Sequence, residues 1–349
     1  MQISGRNIGP GFSPYIVAEL GSSHHGSLSE GKKLIDAAIK AGADAIKLQA
    51  YTADKLTFRG EGDEFKIMEG PWAGRTLHDL YSEAQTLNDL LAKLIAYGQK
   101  KGITIFASVF DLDGVDFLAD LGVECFKIAS FELTDIPLIE KAAACDLPMI
   151  ISTGMGSTKE ITDAMNAFYK HSSRPDQLGI LHCISSYPAS PSEANLPALG
   201  PLSTLLGGRH VVGLSDHSLG VGVSAGAIAF GACMVEKHFC LGRNSGGPDS
   251  GFSLEPDEFS LLVRTCKEAW QAIQSSPPKK APPNLKFRKS LYAVQDVASG
   301  SPFSKENCRA IRPASGLPPC FYQSVLAGVA TRDLKAGTPL DSSAVSTLC

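Results

Sequence analysis

The stretch Val211–Phe239, VVGLSDHSLGVGVSAGAIAFGACMVEKHF, decides the fold. Val211–Leu214 is a short apolar run, as expected of a strand buried on both faces. Ser215, Asp216 and His217 follow at its end. Val221–Gly231 is small and apolar, which suits a tightly packed helix. Met234 and Val235 open a second apolar run that ends in Glu236, Lys237 and His238. The order is strand, loop, helix, strand, so two parallel strands each finish in a histidine. If they are neighbours, His217 and His238 point to one rim, where a divalent metal can bridge them. Two unrelated surface or packed histidines are the other reading of this stretch.

The same alternation runs outward through the chain. Apolar runs at Tyr15–Ala18, Ala45–Leu48, Ile103–Ala107, Cys125–Ala129, Met149–Ile151 and Gly179–Cys183 precede the opening pair. Helical patterns lie between them: Glu30–Ala41, a region from Thr76 to Lys101, Asp113–Leu121, Pro137–Ala144 and a helix to Lys170 with Thr158 as its cap. Thr52–Gly74 reads as irregular, and a last helix covers Pro256–Gln274 with Pro256 in its first turn. Strict alternation means a parallel sheet with right-handed crossovers. Eight units over roughly 265 residues fit a closed (β/α)8 TIM barrel, whose usual size is about 250. A doubly wound open sheet is the alternative, but no GxGxxG follows the first strand.

The 349 residues exceed one small domain and suit a large one followed by a small one. With 44% hydrophobic and 19% charged residues, a sizeable core is available. A net charge of −4 argues against a general nucleic-acid footprint. The N-terminus lacks a charged segment followed by an apolar one, and no run approaches a membrane span. Nine scattered cysteines form neither a metal spacing nor a disulfide framework, so a cytoplasmic setting is expected.

Barrel enzymes build their sites where the strands end. Those ends here are unusually polar: Glu19, Lys47, Gln49, Ser108, Lys127, Ser130, Glu132, Ser152, Ser185, Tyr187, Ser215, His217, Glu236 and His238. A buried lysine paired with glutamate can be purely structural. Two lysines, several hydroxyls and two histidines around one rim point instead to a site for an anionic ligand. Lys47 and Lys127 with Ser130 and Ser152 have the composition of a phosphate cradle, charge from the ammonium groups and directed donors from the hydroxyls. SSPPKKAPP at Ser275–Pro283 reads as a semi-rigid linker, so the expected division is a barrel over 1–274, a linker over 275–284 and a strand-rich module over 285–349. That module contains an echo: AVQDVASGSPFS at Ala293–Ser304 returns as ATRDLKAGTPLD at Ala330–Asp341, 37 residues later. Gly300 and Gly337 punctuate turns, and the pattern predicts a compact pseudo-symmetric β module.

The motifs AELGSSHHG, DAIKLQAYTADKL, FKIASFE, IISTGM, LHCISSYPA, GLSDHSLG, VEKHF and GGPDSGFSLEP resemble the sialic acid synthase family over nearly the whole chain. RKSLYAV and IRPASGL in the tail resemble that family's antifreeze-like (SAF, β-clip) domain. Within the family, GPWAGRTLHDLY and FELTDIPLI look most like the pseudaminic acid synthase branch. The resemblance implies condensation of phosphoenolpyruvate with an open-chain acylamino sugar aldehyde. Water adds at C2, phosphate leaves by C–O cleavage, and a nine-carbon 2-keto acid results. For the pseudaminic branch the sugar is 2,4-diacetamido-2,4,6-trideoxy-altrose; N-acetylneuraminate and legionaminate synthases share the chemistry. The resemblance further implies a divalent metal cofactor, Mn2+ foremost with Co2+ or Mg2+ as substitutes, and a domain-swapped homodimer.

Carried over by motif, His217 and His238 are metal ligands and Glu19 orients or deprotonates the attacking water. Lys47, Ser108, Lys127, Ser130, Ser152, Ser185 and Ser215 match phosphoenolpyruvate contacts. Gln49, Glu132, Tyr187, Asp249, Phe287 and Arg312 match sugar contacts, Arg312 from the partner subunit's tail. There are departures: Ala107-Ser108-Val109-Phe110 stands for a Ser-Thr-Pro-Phe, Ser23 for an amide, and Cys240 and Gly242 for a Thr and an Asp. These touch the sugar side of the inference. A non-catalytic carbohydrate- or ice-binding protein is the remaining alternative, and the lysine, glutamate and histidine set argues against it.

Overall fold

The computed structural model describes residues 1–208, 210–274 and 282–348, and the chain divides into two compact units, Met1–Ser275 and Ser276–Cys349. Residues 275–281 of the expected linker lie outside the described residues.

The first unit opens with a hairpin, β1 (Gln2–Ile3) and β2 (Arg6–Asn7), that the sequence reading did not foresee. Eight parallel strands then close into a barrel: β3 (Tyr15–Glu19), β4 (Ala45–Ala50), β5 (Thr104–Val109), β6 (Phe126–Ile128), β7 (Met149–Ser152), β8 (Leu178–Cys183), β9 (Val211–Asp216) and β10 (Met234–His238). They pair in chain order, and β10 returns to β3 with His238 opposite Glu19. Helices follow the strands: α1 (Leu28–Ala41) after β3, then α2 (Ala53–Leu56), α3 (Leu77–Ala84) and α4 (Asn88–Lys101) after β4. Next come α5 (Leu112–Asp120), α6 (Ile136–Ala143), α7 (Thr158–His171), α8 (Leu199–Leu205), α9 (Gly222–Ala229) and α10 (Pro256–Gln274).

Two local expectations are corrected. Ser157, not Thr158, caps α7: Ser157 Oγ accepts from Glu160 N, and the Glu160 carboxylate accepts from Ser157 N, a reciprocal capping box. Thr158 is already the first helical residue. The helical region expected from Thr76 to Lys101 is two helices, because Gln85 and Leu87 are extended and Gln85 N closes the first helix by donating to Tyr81 O. The irregular region also contains the single-turn α2.

Strand periodicity sorts side chains into two cores. Residues pointing outward, among them Ile16, Leu48, Ile128, Leu214 and Val235, join the helices in one large apolar layer. Residues pointing inward at the strands' N-terminal ends, among them Tyr15, Val17, Phe106, Ile150, Leu181 and Met234, fill the barrel's lower half together with Ile3 and Ile8 of the hairpin. Arg6 pairs with Asp44, and Gln2 N donates to Gln177 Oε1 at 2.9 Å, so the hairpin is tied to the strands' lower loops. The bottom is thus plugged with apolar side chains, and the polar inward residues are all at the top.

In the second unit, β11 (Ser290–Ala293) and β12 (Cys308–Ile311) form a two-stranded antiparallel sheet, followed by the short helix α11 (Tyr322–Leu326). The echoed segments clasp one another. Val297 and Leu334 exchange both backbone bonds at 2.8 Å, Gly300 N donates to Ala330 O at 2.7 Å, and Gly337 N donates to Ala293 O at 2.8 Å. Asp333 Oδ1 accepts from Ser299 N and Asp296 Oδ1 from Ala336 N, both at 2.8 Å. Each bond has its counterpart one repeat away, so the sequence echo is a local two-fold. The module is less strand-rich than expected: outside the two-stranded sheet, isolated bridges such as Val297 with Leu334 hold it together.

Candidate active site

The top of the barrel opens into a cleft of about 950 Å3. Most of the residues singled out from the sequence line it. Lys47, Ser108, Lys127, Ser130, Ser152, Ser185 and Ser215 form its floor and one side. Gln49, Glu132, Tyr187, His217, His238 and Asp249 complete the set in the barrel. Glu19 is fully buried behind this surface and is reached through Lys47 and Gln49, both of which it contacts. Phe287 and Arg312 belong to the second unit, where Phe287 ends a 3-10 turn and Arg312 follows β12, both side chains exposed.

The floor is an ionic layer built by period-two alternation. Lys47 Nζ lies 3.0 Å from Glu19 Oε2 and 3.1 Å from Glu236 Oε1, and it donates to Ser108 Oγ at 3.3 Å. Lys127 Nζ donates to Ser152 Oγ at 2.7 Å and to Ile128 O at 3.1 Å, with Glu236 Oε1 4.0 Å away. Ser215 Oγ donates to Glu236 Oε1 at 3.1 Å. Burial alone would drive Lys47 towards its neutral form, but Glu19 and Glu236 outweigh it and raise its pKa. Burial wins at Lys127, whose pKa is lowered despite Glu236. The Glu236 carboxyl, which burial would raise, is held well down by Lys127 and Lys47. Burial raises Glu19, with the charge of Glu236 adding to the effect. Glu236 is thus shared between the two lysines, and at Lys127 its charge does not offset burial, which suits a site that receives an anion.

Beside Lys127 the hydroxyls converge. Gly154 N donates to Ser130 Oγ at 3.0 Å. A Cβ on Gly154 would collide with Ser185 Oγ and come within 2.8 Å of Ser130 Oγ, so the absence of a side chain keeps these two donors next to a backbone amide.

The two histidines come from neighbouring parallel strands, and their ring centroids are 5.5 Å apart. His217 Nδ1 is 2.9 Å from Ile184 O, which can only accept, so Nδ1 carries a proton; burial alone would lower the pKa of His217, but the Cys183 thiol and this carbonyl raise it. His238 Nδ1 is buried without a partner. Burial, and then the neighbouring His217, push His238 well below its usual range and keep it neutral, the form that binds metals. Asp249, whose carboxyl burial raises, accepts from Ser22 N at 2.8 Å and Ser22 Oγ at 2.9 Å. Gly21, at φ +49°, makes the turn that leads into Ser22: a Cβ there would collide with Asp249 Oδ2 and lie 3.3 Å from His238 Nδ1. Among the described residues no three His, Cys, Asp or Glu side chains form a closed metal cage. Two imidazoles with an orphaned nitrogen, one fixed by a carbonyl, fit an open divalent site whose remaining positions fall to substrate and water.

Sequence reasoning gave Glu236 no role, although it stands two residues before His238 and so had to share its face. It also gave none to Trp72 and Phe252, which sit inside motifs quoted above. Phe252 stacks edge-on against His238 at 4.9 Å, Tyr187 lies 4.3 Å from His217, and Trp72 is 5.8 Å from Tyr187. An aromatic wall thus stands over the histidines. No helix among the described residues is long and apolar enough to cross a membrane, and the eight cysteines among those residues are free.

The NeuB family matches residues 34–277 and the SAF domain residues 288–345. A pseudaminic acid synthase of Campylobacter jejuni subsp. jejuni is 39% identical over 329 residues, covering 93% of this chain and 95% of that one. An N,N'-diacetyllegionaminic acid synthase of the same organism is 36% identical over 330 residues, covering 92% and 96%. The crystal structure of an N-acetylneuraminic acid synthetase from Leptospira borgpetersenii in complex with citrate superposes with a TM-score of 0.70 at 33% identity, covering 81% of this chain and 93% of that one.

Proposed function

Because the chain belongs to the NeuB family and carries a SAF domain, we propose that it is a nonulosonic acid synthase that condenses phosphoenolpyruvate with 2,4-diacetamido-2,4,6-trideoxy-altrose to give pseudaminic acid and phosphate. The observation that carries this reading is one cleft that holds both an anion-ready floor, Lys47 and Lys127 with their hydroxyls, and two neighbouring imidazoles, His217 and the neutral His238.

In this reading, Lys127, Ser130, Ser152, Ser185 and the Gly154 amide hold the phosphate and carboxylate of phosphoenolpyruvate. An incoming anion adds counter-charge beside Lys127 and offsets the burial that lowers its pKa. C3 of phosphoenolpyruvate then bonds to the aldehyde carbon, and the aldehyde oxygen takes up a proton. Water adds at C2 and gives up a proton. The C2–O bond breaks with its electron pair leaving on phosphate, the phosphate takes up the proton of the new C2 hydroxyl, and a 2-keto group remains. Glu19 handles the water's proton: burial raises its affinity for one, and Gln49 and the Gly21 amide fix one of its oxygens at 2.9 and 3.0 Å. A divalent ion held by His217 and His238, manganese before cobalt or magnesium, would supply Lewis-acid polarisation of the aldehyde oxygen. Gln49, Glu132, Tyr187 and Asp249 face the sugar.

Two further parts of the proposal rest on the resemblance: a domain-swapped homodimer in which Arg312 of one tail contacts the sugar in a partner's barrel, and Phe287 as a further sugar contact. Mixing Arg312→Ala and His217→Ala chains under conditions of subunit exchange should regain activity; a dead mixture with proven heterodimers overturns this part. A legionaminate synthase is the second reading, supported by the 36% identical relative. The deciding experiment offers purified protein, phosphoenolpyruvate and manganese a panel of acylamino sugars and reads phosphate release and product mass. The altrose derivative should turn over fastest; preference for another acylamino sugar reassigns the substrate, and inertness towards the whole panel overturns the reading.

A further inference from the structure

The segment between α2 and α3 leaves the barrel rim and returns as a narrow loop. Lys66 and Thr76 pair antiparallel, Ile67 N donates to Arg75 O and Gly74 N to Ile67 O, both at 2.9 Å. Its tip carries Trp72, which lands on the far side of the cleft. Trp72 Nε1 donates to Pro248 O at 3.1 Å, and its ring lies 5.8 Å from Tyr187 and 6.4 Å from Phe252. Pro248 directly precedes Asp249, and Tyr187 and Phe252 are the rings packed on His217 and His238. With its N–H satisfied, the half-buried indole presents only its π-surface to the cleft.

The cleft is electrically divided. Lys47 and Lys127, the two cations of the lining, both lie on the floor, where Glu236 faces them; the other charged residues of the lining are Glu69, three residues before Trp72, Asp249, next to Pro248, and Glu132. A trianionic enol phosphate is drawn to the floor and repelled from the wall. A neutral molecule rich in hydroxyl and amide N–H groups suits the wall, since it donates to the acids and lays its C–H and amide faces on the ring.

We propose that Trp72 is a specificity-determining residue for the acylamino sugar: its indole packs against the acylamino end of that substrate and makes no contact with phosphoenolpyruvate. This rests on the synthase reading given above. The plain alternative is that Trp72 only anchors its loop.

The test uses the full chain. Trp72→Ala should raise the KM for 2,4-diacetamido-2,4,6-trideoxy-altrose roughly tenfold, with the KM for phosphoenolpyruvate within about twofold. Trp72→Phe keeps a ring without the N–H and should recover most of the loss. The chain has two tryptophans, so in a Trp270→Phe background Trp72 is the single emitter. Its fluorescence should shift on adding the sugar, or N-acetylmannosamine as a weaker probe, and stay unchanged on adding phosphoenolpyruvate. An unchanged sugar KM in both variants, equal rises in both KM values, or a silent emission on sugar binding each overturns the proposal. Failure of the wild-type enzyme to release phosphate with any acylamino sugar is a different result: it overturns the synthase reading, while the emission titration still decides whether Trp72 meets a sugar.

Discussion

Two buried ionic groups sit one residue apart on the same pair of strands and differ in kind. On the outward faces of β9 and β10, Lys237 Nζ donates to Asp216 Oδ2 at 2.7 Å and to Ser218 O at 2.6 Å. Asp216 also accepts from Ser218 N, Ser218 Oγ and, from α9, Ser224 Oγ. Every lone pair has a donor. On the inward faces, Glu236 Oε2 and His238 Nδ1 are buried without partners. An unpaired buried polar atom costs stability, and a fold retains it where a ligand supplies the missing bond. The outer pair is thus satisfied within the fold, whereas the inner group is left open for the ligand that the proposed function gives it, although burial is nearly the same: Asp216 is 4% and Lys237 1% exposed, Glu236 5% and His238 8%.

Substitution can break or sharpen that contrast. The largest effect is expected at the histidines. His217→Ala or His238→Ala should lower turnover by roughly a hundredfold or more, the scale of metal-derived charge stabilisation, while thermal unfolding stays near that of the wild type. Chelation should do the same and added manganese reverse it; full activity in the metal-free protein would remove the inner group's assigned role. Next comes the outer pair. Asp216→Ala strands Lys237 and should cost about 3–5 kcal/mol in denaturant unfolding, with both KM values unchanged in the folded fraction. A loss no greater than that of His238→Ala would mean that the two groups do not differ in kind.

Lys127→Ala should act in the opposite sense to Asp216→Ala. It removes a burial-strained cation, so stability should hold, while the KM for phosphoenolpyruvate rises roughly ten- to a hundredfold, as expected for one charge-assisted contact. Equal rises for both substrates would make it a structural partner of Glu236. The smallest effect concerns Glu132, whose carboxyl burial raises to about 7. Its folded pKa exceeds its unfolded one, so its contribution to stability is complete below the unfolded value of 4.5 and is lost as pH rises through about 7. Glu132→Gln should flatten the melting temperature against pH in that window by a few degrees; an unaltered slope would place the carboxyl in water.

Much of the floor was legible before folding. A strand that ends in a polar residue at the top of a parallel barrel has one place to put it, so Lys47, Ser108, Lys127, Ser152 and Ser215 follow from periodicity. The same rule makes Glu236 the inward neighbour of His238, and only the missing role had to come from contacts. Ser157 and Thr158 are both good caps in isolation; the reciprocal bond with Glu160 decided between them.

By itself, then, the sequence determined the alternation of strands and helices, the closed barrel, the echo in the tail and the residues that must face the barrel axis. These depend on local periodicity and on chirality, which act over a few residues at a time. The hairpin plug, the landing of Trp72 on Pro248 and the division of buried charges into satisfied and unsatisfied sets were decided only in three dimensions. Trp72 and Pro248 are 176 residues apart, and no pattern within either segment encodes the other's position. Whether a buried charge is paired depends on where the neighbouring elements bring their donors, and that is a property of packing.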